Sequence, residues 1–464
     1  MKRVAVTISF SFAIRYLIRT GMAEKMRLFC HPVICLFWHQ ADLMEELEGK
    51  GFEVYLIPVC SSTTKYKSLR TKIDYWFKFT QLKSPTQKTE PRYLEKFQPA
   101  KKVIINRLRD WYNWPLMHLP FYVSGLLKRE TELLHTDTNF SEMCNLIVQL
   151  NIDAVFTVTP FHRQEDIFLR AASLNGKKMI TSILSFDNIV KRGWIPVVYD
   201  AYMVWNNDMR NQLKRINKKV PEENIHIVGA AQFDFYKNPA YILKRNDWLK
   251  AAGLPEGTNK KIILFAGGPV SLFPQEYQFL KDVKEALENK KIEGGPLVLF
   301  RCHPMDNIER WKEKIGQSEH IFFDGSWTGT RKPGEANITD ADIKKLCSTL
   351  FYTDVHINTA STMMVDGSAF AKPQIGPGYD NLYPAKRWHL SMMYLQEYYL
   401  PIMKANALLH PKSKEELVEH INMVLKNPAL FTKNNQAVLE AIITYTDGNS
   451  TERVLQQLQK EIAA

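Results

Sequence analysis

The 464-residue chain contains no C-x-x-C pair, no run of about 18 uncharged apolar residues, no internal repeat and no low-complexity tract. Each absence removes a class of protein. Without paired thiols, a zinc ribbon or thioredoxin-like redox site is not expected. The six cysteines (Cys30, Cys35, Cys60, Cys144, Cys302, Cys347) sit mostly in apolar stretches, where a thiol acts as a small hydrophobe, so a reducing compartment, the cytoplasm, is expected. Without a long apolar run no membrane-spanning helix is expected. The N-terminal Val4 to Ile18 resembles a signal peptide only superficially: Arg15 interrupts it, no small-residue cleavage site follows, and a first strand is the expected structure. Neither G-x-x-x-x-G-K-S/T nor G-x-G-x-x-G occurs, which removes the main support for an ATPase or an ordinary dinucleotide enzyme.

What is present is a long alternation of short β-branched or aromatic runs with helical patterns, the signature of parallel strands joined by crossover helices. Strands are predicted at about Val4 to Ile8, Glu53 to Val59, Asp153 to Val158, Met179 to Leu184, Ala201 to Trp205 and Ile225 to Val228. A second series covers Lys261 to Phe265, Leu297 to Phe300, Ile321 to Phe323, Val355 to Asn358 and Gln374 to Ile375, with helices from Ser413 onward. Between the series, Asp234 to Asn259 is rich in breakers. The expectation is an α/β protein of two doubly wound Rossmann-like domains facing a cleft, one over 1–236 and one over 260–464.

The net charge of +12 is not evenly spread. Ser61 to Arg129 carries fifteen basic and four acidic residues, an excess almost equal to that of the whole chain. This segment, about 63–135, is aromatic and broken by Pro85, Pro91, Pro99 and Pro115, and reads as a helical insertion in the first domain. Within 101–114, Ile104, Leu108 and Trp111 share a helical face with Lys101, Lys102, Arg107 and Arg109 near its edges. That pattern suits anionic lipid headgroups, with a peripheral position at the inner membrane. It equally suits a helix packing its stripe on the first domain. Nucleic acid is not an expected partner, because no recognition module accompanies the charge.

Chemistry is expected in the loops after the strands. Arg301-Cys302-His303-Pro304 follows a strand, and its Arg and His are suited to a phosphate. Asn358-Thr359-Ala360-Ser361-Thr362 precedes a helix whose start the Ser361 and Thr362 hydroxyls would cap, a potential anion site, with Asp366 one turn in. Gly267 and Gly268 would let backbone approach a ligand. In the first domain the loops are Ser9-Phe10-Ser11, Pro160 to Asp166 and Ser185 to Asn188. His162, Glu165, Asp166 and Asp187 are candidates for the base that activates an acceptor hydroxyl. Neither D-x-D nor H-x-x-x-H occurs in these loops, so no metal and no cofactor is expected. Each residue also has a purely structural reading as a cap, a turn or a packed side chain.

Taken in order, these segments resemble GT-B enzymes. Ile225 to Asp234 is similar to the strand and G-x-P-x-x-D-like turn that closes the first domain of CDP-glycerol glycerophosphotransferases and UDP-N-acetylglucosamine 2-epimerases, with Ala231 where Pro is common. Arg301 to Pro304, and Ser361 and Thr362 with Asp366, resemble the His-Pro and Ser-Ser/Thr motifs of those transferases, of bacterial sialyltransferases and of capsule-polysaccharide transferases. The resemblance covers about Asp153 to Asp380 in order, and more weakly Val4 to Arg19. It implies that His303, Ser361 and Thr362 hold the phosphate of a nucleotide-sugar donor without metal, for transfer to a cell-envelope saccharide or lipid-linked glycan. The acidic D/E-D/E-G triplet that supplies the base in the sialyltransferase group is absent. A nucleotide-sugar epimerase and a non-catalytic nucleotide-binding protein are the alternatives.

Overall fold

Fully buried strands such as Ala154–Thr157 and Ile262–Ala266 can be covered on both faces only if helices lie on both sides of a parallel sheet. The computed structural model describes residues 1–59, 64–218, 220–325, 335–380 and 389–463, and it forms two compact units. The first holds β1 (Arg3–Ile8), β2 (His31–Leu36), β3 (Glu53–Leu56), β4 (Ala154–Thr157), β5 (Lys178–Ser182), β6 (Ala201–Val204) and β7 (Ile225–Ile227), in the order β3-β2-β1-β4-β5-β6-β7. The second holds β8 (Ile262–Ala266), β9 (Leu297–Arg301), β10 (Ile321–Asp324), β11 (Val355–Asn358), β12 (Gln374–Ile375) and β13 (Leu408–Leu409), in the order β10-β9-β8-β11-β12-β13. Every pairing is parallel; Val6 lies opposite Phe156, and Phe265 lies opposite Ile357. In both sheets the strand order reverses beside the first strand: between β1 and β4, and between β8 and β11.

The domain boundaries differ from those expected. The first unit is Met1–Ala231 with Ser450–Ala464, and the second is Gln232–Asn449. The breaker-rich stretch after Asp234 belongs to the second unit because Trp248 and Leu249 are buried against Ile262, Leu297 and Leu299, with the Trp248 indole donating to Thr349 Oγ1 at 3.0 Å. The last helix, Ser450–Ala463, returns to the first unit. Its stripe of Val454, Leu458 and Ile462 joins the core of Val4, Val6 and Ile34, and Lys178 pairs with Glu461 at 3.6 Å. An amphipathic stripe states that a helix packs, but not on which core.

The segment between β3 and β4 is helical over Thr64–Trp76, Thr86–Glu95, Ala100–Leu116 and Pro120–His135. Cys60 and the first residue of the expected insertion, 63, lie outside the described residues. The insertion is tied to the sheet by a buried charge network. Arg70 lies 3.2 Å from Glu130 and 3.1 Å from Asp166, and Arg170 also pairs with Glu130. Among the described residues no helix is long and apolar enough to cross a membrane.

Candidate functional site

Open α/β sheets bind ligands outside the carboxyl ends of their strands, where the strand order reverses. In the first unit, Thr7 and Ser9 leave β1 and Thr157 and Thr159 leave β4, each pair at the two-residue spacing that puts side chains on one face. All four hydroxyls donate to the fully buried Glu165 carboxylate: Thr7 at 2.8 Å and Thr157 at 2.7 Å to Oε2, and Ser9 and Thr159 to Oε1. Burial raises this carboxyl above its ordinary value, and the four hydroxyls oppose the shift without reversing it. With Glu165 ionised, each of its lone-pair positions is filled by one hydroxyl proton.

That proton count reaches His162. Its Nδ1 lies 2.9 Å from Ser9 Oγ, and when Ser9 gives its single proton to an ionised Glu165 the contact is made by Nδ1–H donating to Ser9 Oγ. The lone pair is then on Nε2. Burial, helped by the Arg192 charge, lowers His162 to about 4, which keeps the ring neutral at pH 7. His162 is therefore a positioned neutral acceptor.

The carboxylates named with it play other parts. Glu165 is enclosed by hydroxyls and does not reach the loop surface. Asp166 is nearly fully buried beside Arg70 in the insertion network. Asp187 accepts from Ser185 Oγ at 2.6 Å and Asn188 Nδ2 at 3.1 Å and pairs with Lys191 at 3.6 Å, organising its own turn. Of the residues expected as bases, Glu165 and Asp166 are both buried, Glu165 among four hydroxyls and Asp166 beside Arg70.

In the second unit, the order reversal places the loop after β8 beside the loop after β11. Gly268 N–H donates at 2.6 Å to Oε2 of Glu276, which is 1% exposed. Burial pushes Glu276 up to about 7, opposed by the Thr359 hydroxyl and the Gly268 amide. The Thr359 hydroxyl bears on the same carboxyl without closing a full hydrogen bond: Glu276 Oε1, Thr359 Oγ1, Asn358 Oδ1 and Gln275 Oε1 are all buried without a hydrogen-bond partner among the described residues. The buried oxygens of Asn358 and Thr359 at the end of β11, and of Glu276 beside the loop after β8, are suited to ligand hydroxyls and N–H groups. Ala360, at φ 44°, takes the left-handed conformation that non-glycine residues rarely adopt, in the turn that carries the chain from β11 to Ser361.

The residues expected around the donor divide. His303 Nδ1 accepts the Met305 N–H at 3.0 Å, so the neutral ring carries its proton on Nε2 and is a donor there. Arg301 is buried at the end of β9 with Asp324 at 2.5 Å, and Lys345 reaches the same carboxylate at 2.7 Å. It lies inside the sheet edge rather than on the loop. Gly267 and Gly268 have no room for a side chain: a Cβ would meet the Phe300 ring at 3.1 Å and the Phe273 ring at 2.6 Å. Their smallness serves loop packing. Ser361 Oγ accepts the Met363 N–H at 3.2 Å, whereas Thr362, at the N-cap, makes no side-chain cap. Asp366 accepts from the Tyr236 hydroxyl. Among the described residues no group of three or more His, Cys, Asp or Glu is arranged for a metal.

Sequence reasoning missed Glu276 altogether, since one Glu eight residues beyond a Gly-Gly carries no pattern. The hydroxyl pairs Thr7/Ser9 and Thr157/Thr159 were legible: hydroxyls alternating along buried strands need an acceptor, and a nearby Glu supplies one.

Two doubly wound parallel sheets in one chain, each with its order reversed beside the first strand, define the GT-B fold of two Rossmann-like domains. Solved structures with this fold include Staphylococcus aureus MnaA with UDP (10% identity, TM-score 0.57, covering 100% of this chain and 97% of that one). UDP-GlcNAc 2-epimerase from Neisseria meningitidis bound to UDP-GlcNAc is similar at 10% identity and TM-score 0.56, covering 99% and 100%. A glycosyltransferase from Rickettsia africae is similar at 14% identity and TM-score 0.52, covering 100% and 98%. No family model matches the sequence, and no curated protein matches it.

Proposed function

We propose that the chain is a metal-independent glycosyltransferase that moves a sugar or related group from a nucleotide-activated donor to a cell-envelope saccharide or lipid-linked glycan. The observation that supports this most directly is the complementary proton state of two histidines on strand-end loops. His162 offers a lone pair at Nε2, suited to taking a proton from an acceptor hydroxyl. His303, whose Nδ1 accepts the Met305 N–H, carries its proton at Nε2, the chemistry a departing phosphate calls for. In this reading Ser361 and Thr362 add hydroxyls to the phosphate, and the orphaned oxygens of Asn358, Thr359 and Glu276 receive donors from the ribose or base. Neighbours solved with UDP and UDP-GlcNAc favour a uridine nucleotide.

The test is nucleotide binding in chelator, by calorimetry, for UDP, CDP, CMP and GDP. UDP is expected to bind best, and His303→Ala to weaken it roughly ten- to a hundredfold, the worth of a charge-assisted hydrogen bond. Unchanged affinity in a folded His303→Ala protein overturns the donor site. If the nucleotide sugar is converted to its epimer with no acceptor consumed, the chain is an epimerase instead.

A further inference from the structure

The Ala100–Leu116 helix is turned opposite to its amphipathicity. No residue of it is fully buried. The side it shows to the protein carries half-buried Val103, Asn106, Asp110 and Asn113, with the Tyr75 hydroxyl bonded to the Asp110 carbonyl at 3.3 Å. Its apolar stripe faces water instead: Ile104 is 57% exposed, Leu108 60% and Trp111 79%, with Ile105 and Tyr112 beside them. At 3.6 residues per turn these five side chains form one face. Lys102 and Arg109 border it on one edge and Arg107 on the other, and Lys101 lies at its start; all four are exposed, and Arg107 also pairs with Glu95 at 2.7 Å.

The geometry points to an anionic phospholipid surface as the occupant of this face. An interfacial helix needs an apolar side to enter the acyl boundary, cations at its edges for the headgroups, and amphipathic rings at the level between, which Trp111 and Tyr112 supply. A face completed by a folded protein does not require cations along both edges. The local charge fits as well, because the segment from Ser61 to Arg129 carries nearly all of the net +12. The inference stands independently of the proposed catalysis, since it uses neither histidine.

Flotation of the full-length protein with vesicles tests it, using phosphatidylcholine alone and a three-to-one mixture of phosphatidylcholine and phosphatidylglycerol. The protein is expected to float with the anionic vesicles at low salt and to be released at high salt. Lys101→Gln with Lys102→Gln is expected to weaken partition about thirtyfold. Ile104→Ser, Leu108→Ser and Trp111→Ser together are expected to abolish it while leaving the melting temperature unchanged, because these side chains support no core. No flotation at low salt, equal flotation with neutral vesicles, or undiminished flotation of the triple variant overturns the inference. So does a self-association in sedimentation velocity that the triple variant abolishes, which would assign the face to a second copy.

Discussion

Glu276 lets the second unit be interrogated by pH. Its carboxyl is held at about 7 rather than its usual 4.5 because it is buried at the carboxyl end of β8 with one backbone amide as its firm donor. At ~1.4 kcal/mol per tenfold, this corresponds to about 3 kcal/mol of cost for carrying the charge in the folded state. Below pH 4.5 both states hold the proton and nothing is lost. Between 4.5 and about 7 the unfolded chain gives up the proton while the folded one keeps it, so stability falls as pH rises, and it levels off above. Glu276→Gln keeps an oxygen for Gly268 N–H and gives Thr359 an N–H donor in place of a charge. The variant is expected to gain on the wild type by about 3 kcal/mol between pH 4.5 and 8.5, roughly 6 to 12 °C in the melting of a unit of this size. The buried histidines act with the opposite sign: His162 and His410 are lowered to about 4 and His356 to about 3, so their contribution is lost as pH falls below 6.5. They are common to both proteins and cancel in the difference. Calorimetric scans of the pair across that range are the assay, and a difference that stays flat with pH refutes the reasoning.

Two further outcomes follow from the first unit. Glu165→Gln leaves two of four buried hydroxyl protons without an acceptor, at about 1 to 3 kcal/mol each, and is expected to lower the denaturant midpoint of that unit by an amount equivalent to about 2 to 6 kcal/mol; an unchanged midpoint contradicts the hydroxyl count. His162→Gln is expected to lower kcat about a hundredfold or more with KM little changed. In the wild type the rate should hold down to about pH 5, because the ring stays neutral until about 4; a His162→Gln enzyme with normal kcat removes His162 from the reaction.

Strands came through in the sequence where the local chemistry and the sheet agree. Val355–Asn358 and Gln374–Ile375 are short β-branched or apolar runs between breakers, and they form as read. His31–Leu36 was hidden because Pro32 argues against an interior strand. It is accommodated as the second residue, after His31 N–H has bonded to Lys2 O at 2.8 Å. Leu408–Leu409 is too short to show a period. In the strand-end loops, residue type did not name the partner each side chain would take. Arg301 is a phosphate ligand by chemistry, and Asp324 one strand away claims it. Gly267 and Gly268 resemble a ligand-facing turn, and their smallness is also required by the Phe300 and Phe273 rings packed where a Cβ would lie. Such competition is set by neighbours distant in sequence.

The helix at 100–116 shows the same limit with the sign reversed. Periodicity locates an apolar stripe, but the hydrophobic effect is non-directional and does not name the surface that will cover it. Covering the stripe with the first unit would place Ile104, Leu108 and Trp111 out of water at about 1.5 to 3 kcal/mol each, a sum comparable with the net stability of a small domain. The fold forgoes that gain and turns Asn106, Asp110 and Asn113 inward. The protein-facing side has little to recover from burial, since burial, with the nearby Glu95 charge, pushes the Asp110 carboxyl upward against Arg109. A patch of this kind, on a helix bordered by cations, recovers the forgone energy only against a second apolar phase, and a bilayer edged with anions is the phase that meets both its stripe and its charges.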